Sequence, residues 1–517
     1  MKIPLLKNTI TTYINMVVSL LCGILVTRWM IEKLGETNYG LWTMLWSFFC
    51  CSLLLDFGLG VAAQKATAVE LYKKDSHKYN LIISSVFFFH VAMTILIMLG
   101  TIIAAFYTHE LFNLPPEQDV TYYRICFLIF GLGSAALFPF GVFTDILTGC
   151  QQIWLCNRVF VISSVIELVG TATVLLSGGE LIALVIFIML LQVFTKGLLT
   201  YYACKSVPSL RLILTFNKQI YKEIFNFSGM VYITSMCRMV WERGPVFFIS
   251  AFCGSGASGG LIPVSIYQVG VKLTVQMSWL AGAYQKNVSP LTARLHSHKR
   301  YNALASILVN SMRWNSFLAT GMAFGILLCA PQLIRWLFHY TDNINQAVYI
   351  CRITALSVWF WLVFNNIPEE YLLMAEKHKF LAGAYIIEAV LFVVSTVAIL
   401  RFNASVEVVM WTSIISRLIP AAFMMLPVTI KQGRINVRRL IIQAVIRPFI
   451  AIIPAAIVGT AMYPWMVAHT NDLVVIIACG CTSAIIYIPT AYFIVFTAEE
   501  RRRMWRYIVN ILPASAK

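Results

Sequence analysis

Apolar residues run along this chain in long blocks broken by short polar or Gly/Pro-rich stretches. A bilayer core about 30 Å thick is crossed by roughly 20 helical residues, and the blocks match that length. Fourteen spans are predicted: 9–31, 40–62, 81–108, 121–147, 155–177, 180–204, 226–253, 260–284, 303–330, 346–372, 379–401, 405–430, 441–462 and 472–497. The first follows Lys2 and Lys7 but is too long for a signal-peptide core and lacks a small-x-small cleavage site, so it is expected to remain as a helix.

Composition agrees with the pattern: of 517 residues 59% are hydrophobic and only 12% charged, about half the charge of an ordinary soluble domain. The net charge of +17 would raise nucleic acid as a partner on a soluble chain. Its distribution gives a different reading. With the amino terminus in the cytoplasm, the cytoplasmic connections and termini hold 26 Lys and Arg, whereas Arg28, Lys33, Arg124, Arg335 and Arg401 are the five at or near the opposite face. That bias is the positive-inside rule, and it predicts both termini inside. The basic loops and the tail Arg501-Arg502-Arg503-Met504-Trp505-Arg506 then face anionic membrane lipids. No connection is long enough for a nucleic-acid-binding surface or a soluble catalytic domain, the longest being 205–225. Of the 13 cysteines, Cys22, Cys50, Cys51, Cys126, Cys237, Cys351, Cys479 and Cys481 sit in apolar runs as small hydrophobes, and no disulfide is inferred. The eight histidines show no ligand spacing, so neither metal nor cofactor is expected.

Segment 205–225 divides the first twelve spans into six and six, which permits a parallel repeat. The best internal match sets Asp145, Asn157-Arg158 and Glu167 against Glu370, Lys377-His378-Lys379 and Glu388. The expected organisation is an N-terminal six-helix lobe over 1–204, a cytoplasmic linker over 205–225, a second lobe over 226–430, and a terminal helix pair with a basic tail over 431–517.

Eight cations fall within spans: Lys196, Arg238, Arg243, Lys272, Arg313, Arg352, Arg417 and Arg447. Left isolated they would cost about 20 to 28 kcal/mol on insertion scales. Arg313, Arg352 and Arg447 are expected to snorkel toward an interface, while Arg238, Arg243, Lys272 and Arg417 lie near the midplane. Against them stand Glu167, Glu242 and Glu388, with Asp56 and Asp145 nearer the cytoplasmic ends. Arg238 and Glu242, four apart on one helix, can neutralise each other. The excess of deep cations still favours a phosphate, diphosphate or acidic sugar as cargo. Asp56, Glu167, Glu242 and Glu388 are candidates either for proton or sodium coupling or for internal ion pairs. Asp56-Phe57-Gly58 lacks the other motifs of a protein kinase and is read as part of a span. Pro368 and the Gly-rich turn 254–260 are candidate flexible points.

Asn8 through Arg28, Leu34-Gly35-Glu36-Thr37-Asn38-Tyr39-Gly40-Leu41-Trp42 and Leu55-Asp56-Phe57-Gly58-Leu59-Gly60 resemble the opening of bacterial polysaccharide-export flippases. Leu147-Thr148-Gly149-Cys150-Gln151 and Leu373-Met374-Ala375-Glu376-Lys377 are similar to that family's positions after helices 4 and 10. These flippases belong to the multidrug, oligosaccharidyl-lipid and polysaccharide (MOP) exporter superfamily, and the resemblance runs through about the first 430 residues. It implies an all-α membrane fold of two six-helix lobes in a V, alternating access, and a cationic cavity lined by helices 1, 2, 7 and 8. Carried onto this chain, the cavity cations are Arg28, Arg238, Arg243 and Lys272, with Arg417 as a further deep cation. The implied cargo is a polyprenyl-diphosphate-linked glycan crossing a bacterial cytoplasmic membrane, with helices 13 and 14 bordering a groove for the polyprenyl tail. Two other readings stay open. An ion-coupled drug exporter on the same scaffold would need the interior carboxylates, and a membrane glycosyltransferase or polymerase would need a large outer loop, which 109–117 and 338–346 do not provide.

Overall fold

The computed structural model describes residues 5–69, 76–113, 120–214, 218–254, 259–340, 343–375 and 377–502. Four of the five residues that follow Arg501 in the basic tail motif, and the centre of the 254–260 turn, lie outside them. Helices dominate, and no strand occurs among the described residues. In chain order they are α1 (5–34), α2 (36–69), α3 (Ser76–Phe106), α4 (Val120–Gly149), α5 (Ile153–Leu176), α6 (Leu181–Ser206), α7 (Lys218–Phe252), α8 (Leu261–Ser297), α9 (Tyr301–Phe338), α10 (Ile344–Met374), α11 (His378–Leu400), α12 (Val406–Gly433), α13 (Val437–His469) and α14 (Asp472–Ile494). Eleven helical stretches among the described residues are long and apolar enough to cross a membrane, which makes this a multi-pass membrane protein.

The first two predicted spans are joined by no loop. Helix runs from Leu5 to Cys50, broken only at Gly35, whose φ of 79° and ψ of 173° suit glycine alone. A straight helix of 46 residues would extend about 69 Å, more than twice the bilayer core, so this one-residue break is what makes two spans. α2 is broken again at Phe57 and Gly58, both at positive φ.

Prolines remove single backbone hydrogen bonds elsewhere, and side chains answer the carbonyls they free. Pro139 cannot bond to Ala135, four residues back, and the Thr94 hydroxyl donates to that carbonyl at 3.1 Å. Pro331 likewise frees Leu327, whose carbonyl accepts the Arg352 Nε–H at 3.1 Å. Arg352 therefore does not snorkel as expected: its guanidinium satisfies a backbone group inside the bundle. In α10 the helix is interrupted at Asn365, three residues before the predicted flexible point Pro368, where the proline ring would meet the Phe364 carbonyl.

By packing, the chain divides into two compact units. One is Met1–Tyr267 with Leu337–Tyr340 and Val393–Val409; the other is Gln268–Trp336, Thr341–Phe392 and Met410–Lys517. In the first, Leu59, Tyr79, Ile83, Phe143, Leu147 and Leu199 form one core, and Trp42, Trp46, Phe49, Phe127 and Phe130 interlock nearby. Asn8 fastens α1 to the α4–α5 turn, donating to the Gln151 carbonyl and accepting the Trp154 N–H, each at 3.0 Å. Gly40 faces the backbone of Leu261 so closely that a Cβ would overlap its carbonyl. Because backbone cannot rotate aside, Gly40→Ala is expected to cost about 1 to 3 kcal/mol, read as a lower melting midpoint in detergent.

The second unit holds the other correction. Arg313, predicted to snorkel, has 0% of its side chain exposed and pairs with Glu500. Glu500 belongs to a capping box closing just after α14: it accepts the Thr497 N–H and hydroxyl, each at 2.9 Å. Trp314 and Phe317 pack on Phe496, so the chain after α14 folds back onto α9 and supplies the acid within the bundle. At the other end of α14, Asp472 accepts both Nε and Nη2 of Arg335, at 3.1 and 3.0 Å.

Candidate functional site

α7 carries Arg238, Glu242 and Arg243, and α8 carries Lys272. Arg238 and Glu242 are exposed, while Arg243 and Lys272 are half-buried. None of the four enters an ion pair among the described residues, so Arg238 and Glu242, which their spacing allows to neutralise each other, are not paired there. Arg243 has Cys50 and Cys51 of α2 and the buried Tyr267 within electrostatic reach, and these groups are neutral in their ordinary protonation state. Lys272 lies between Gln268 and Gln276 at intervals of four, which places all three on one helical face. A half-buried cation flanked by neutral donors is suited to an anionic oxygen.

A cavity of about 410 Å³ opens inside the first unit, lined by parts of α2, α3, α4 and α6. Asp56, at the break in α2, accepts the Gly60 N–H at 3.1 Å and starts the next helical segment. Its other partner is His90 of α3, at 2.8 Å and 3% exposed. Asp145 of α4 accepts the Gln64 amide at 2.9 Å, and Gly60 leaves it room, since a Cβ there would stand 2.7 Å from the carboxylate. Lys196 of α6 completes the lining, within electrostatic reach of Asp145. Two carboxyl groups, an imidazole and a lysine amine thus share one cavity whose remaining lining is largely apolar.

The remaining candidates are each engaged locally. Arg28 donates to His339, whose other nitrogen faces Glu32 at 3.3 Å. Glu167 lies on α5 within electrostatic reach of Cys22 on α1. In the second unit Glu388, buried on α11, meets Arg417 of α12 at 4.0 Å, and the guanidinium lies 4.4 Å from the centre of the Trp361 ring. The same unit has an apolar groove of about 300 Å³ between α8, α9 and α14, lined by residues such as Met277, Ile326, Leu333 and Ile476.

The sequence profile of the family described as polysaccharide biosynthesis protein matches residues 5–296. The chain belongs to this family. The matched stretch runs from α1 to the end of α8 and takes in Arg28, Arg238, Glu242, Arg243 and Lys272. No curated protein matches the chain in sequence. Among solved structures, the lipid II flippase MurJ in an inward closed conformation superposes with a TM-score of 0.71 at 13% identity, covering 94% of this chain and 98% of that one. An inward-facing multidrug resistance MATE family transporter of the MOP superfamily gives 0.66 at 14% identity, over 82% and 95%. A MOP superfamily transporter from Pyrococcus furiosus gives 0.58 at 16%, over 84% and 95%. This polysaccharide biosynthesis protein thus has the all-α MOP fold that the opening motifs implied, and the proteins it resembles are flippases and transporters rather than enzymes.

In this family member several polar groups escape a reading of sequence. His90, Gln64 and Lys196 come from three different helices, and only folding gathers them beside Asp56 and Asp145. Gln268 and Gln276 were detectable, as the four-residue interval around Lys272.

Proposed function

We propose that the chain is a flippase that moves a polyprenyl-diphosphate-linked oligosaccharide, a repeat unit of a surface polysaccharide, across a bacterial cytoplasmic membrane. The observation that carries this reading is the family match over the helices bearing Arg238, Arg243 and Lys272. These cations hold the diphosphate by charge-assisted hydrogen bonds, Arg243 offering a planar fork and Lys272 a point charge. The groove along α14 supports a path for the apolar tail. Both termini are cytoplasmic, and the lobes 1–204 and 226–430 alternate in exposing the head group to each side.

Depleting the protein in cells that make the polysaccharide is expected to leave undecaprenyl-linked repeat units accumulated in membrane extracts. Normal levels of lipid-linked precursor and of surface polymer after depletion would overturn the reading.

The cavity around Asp56 and Asp145 favours ion coupling as the source of work. It presents carboxylates, His90 and Lys196 to one space, where uptake of a proton or sodium ion alters the charge balance. Asp56→Asn and Asp145→Asn are expected to retain transport down a substrate gradient and to lose stimulation by an imposed proton or sodium gradient in vesicles. Undiminished stimulation in both variants would contradict this role.

A further inference from the structure

A second cavity of the first unit, about 650 Å³, lies where α1 passes into α2, α4 begins and α5 turns into α6. Its lining brings together Lys33, Asn38, Tyr122, Tyr123 and Glu180. The tyrosine rings meet edge to face, centroids 5.7 Å apart and planes at 84°, with Tyr123 buried and Tyr122 half-buried. Gly178, at φ +80°, and Gly179 turn the chain without side chains of their own and leave Glu180 exposed at the rim. Lys33 is exposed on the α1 side. Asn38 donates one amide N–H to the Leu34 carbonyl at 3.1 Å, which leaves its second N–H and its carbonyl oxygen for a ligand.

The chemistry of this lining selects among ligand classes. Lys33 faces Glu32 at 3.9 Å and Glu180 adds a further carboxylate, so the cavity lacks the cationic excess a diphosphate requires. An apolar tail would cover the Glu180 carboxylate and the Asn38 amide and offer neither a hydrogen bond. A neutral polyol satisfies both: its hydroxyls accept from Lys33 and Asn38 and donate to Glu180, and the C–H face of a pyranose ring packs against a tyrosine. The volume is ordinary for a small-molecule site.

We propose that this cavity binds sugar residues of the transported glycan on the face opposite the amino terminus, as a platform onto which the head group is released. The proposal rests on the flippase reading and its orientation, and it adds a second glycan contact remote in chemistry from the cationic residues of α7 and α8. Held there by neutral contacts, the head group leaves the diphosphate-binding cations without having to be rebound by charge.

The test uses the full-length protein in detergent. The probe is the free oligosaccharide released by mild acid from the lipid-linked precursor of the cells that carry the chain, stripped of lipid and diphosphate. Saturation-transfer NMR and titration are expected to show binding to the wild type. Affinity should fall at least tenfold in Asn38→Ala and in Glu180→Gln, and weaken in Tyr122→Leu. Glu180 is exposed, so its variant keeps the fold, and a circular dichroism melt checks the others. No binding by the wild type, or equal binding by wild type, Asn38→Ala and Glu180→Gln, overturns the platform. Leaflet transfer of the intact lipid-linked precursor, measured in parallel, separates the two ideas. Transfer without cavity-dependent binding defeats the platform alone, and cavity-dependent binding without transfer defeats the flippase reading and with it the release role.

Discussion

Glu500→Gln is expected to destabilise the purified protein by about 3 to 5 kcal/mol, the penalty for leaving a buried charge without its partner. Arg313 has no exposed side-chain surface, and among the described residues its Nε and Nη1 have no hydrogen-bond partner and Glu500 supplies the one ion pair its guanidinium makes. Arg439 and Arg447 add to the local positive charge. The substitution removes the compensating charge and also weakens the Thr497 capping box that orders the turn after α14. A thermal melt in detergent should show a clearly lower midpoint. Replacing both partners with apolar groups, Arg313→Met with Glu500→Leu, should recover much of the loss, because no charge is then left buried. An unchanged midpoint in Glu500→Gln would mean that the pair contributes nothing to holding the chain after α14 in place.

Arg243→Ala and Lys272→Ala are each expected to cut transport by about tenfold to a hundredfold, with the double variant inactive and membrane insertion intact. A hydrogen bond to a charged group contributes roughly 1.5 to 3 kcal/mol, and each substitution removes at least one from the bound diphosphate. Neither cation is consumed by an ion pair among the described residues, so truncating it strands no buried acid there. That separates a transport defect from a folding defect. Arg243→Lys should recover part of the activity, keeping the charge but losing the bidentate fork. Full transport in both alanine variants would remove these residues from the binding machinery.

Hydropathy made the spans legible because a bilayer imposes one length and one polarity on every crossing. It marked the polar stretch between the first two spans but could not show that helix continues through it on both sides of Gly35, which alone separates α1 from α2. Side-chain fates were less legible. Arg313 and Arg352 have the spacing of snorkelling residues. Their actual partners, Glu500 some 187 positions away and a carbonyl freed by Pro331, are facts of packing that no local pattern carries. An internal ion pair for Glu388 was one of two readings open to the sequence, which named no partner; in the structure Arg417 lies 4.0 Å from it, with Trp361 against the guanidinium. The cavity around Asp56 was half visible, as two carboxylates near helix ends. Its histidine and lysine come from helices that sequence alone could not bring together.

The central claim is tested most directly by leaflet transfer in proteoliposomes. A fluorescent undecaprenyl-diphosphate oligosaccharide is placed in one leaflet and read with an impermeant quencher. The account predicts protein-dependent transfer that is slowed at least tenfold by Arg243→Ala and is not reproduced with the same glycan on a neutral lipid. Transfer at the protein-free rate by well-folded wild-type protein, or equal transfer of charged and neutral lipids, would contradict it.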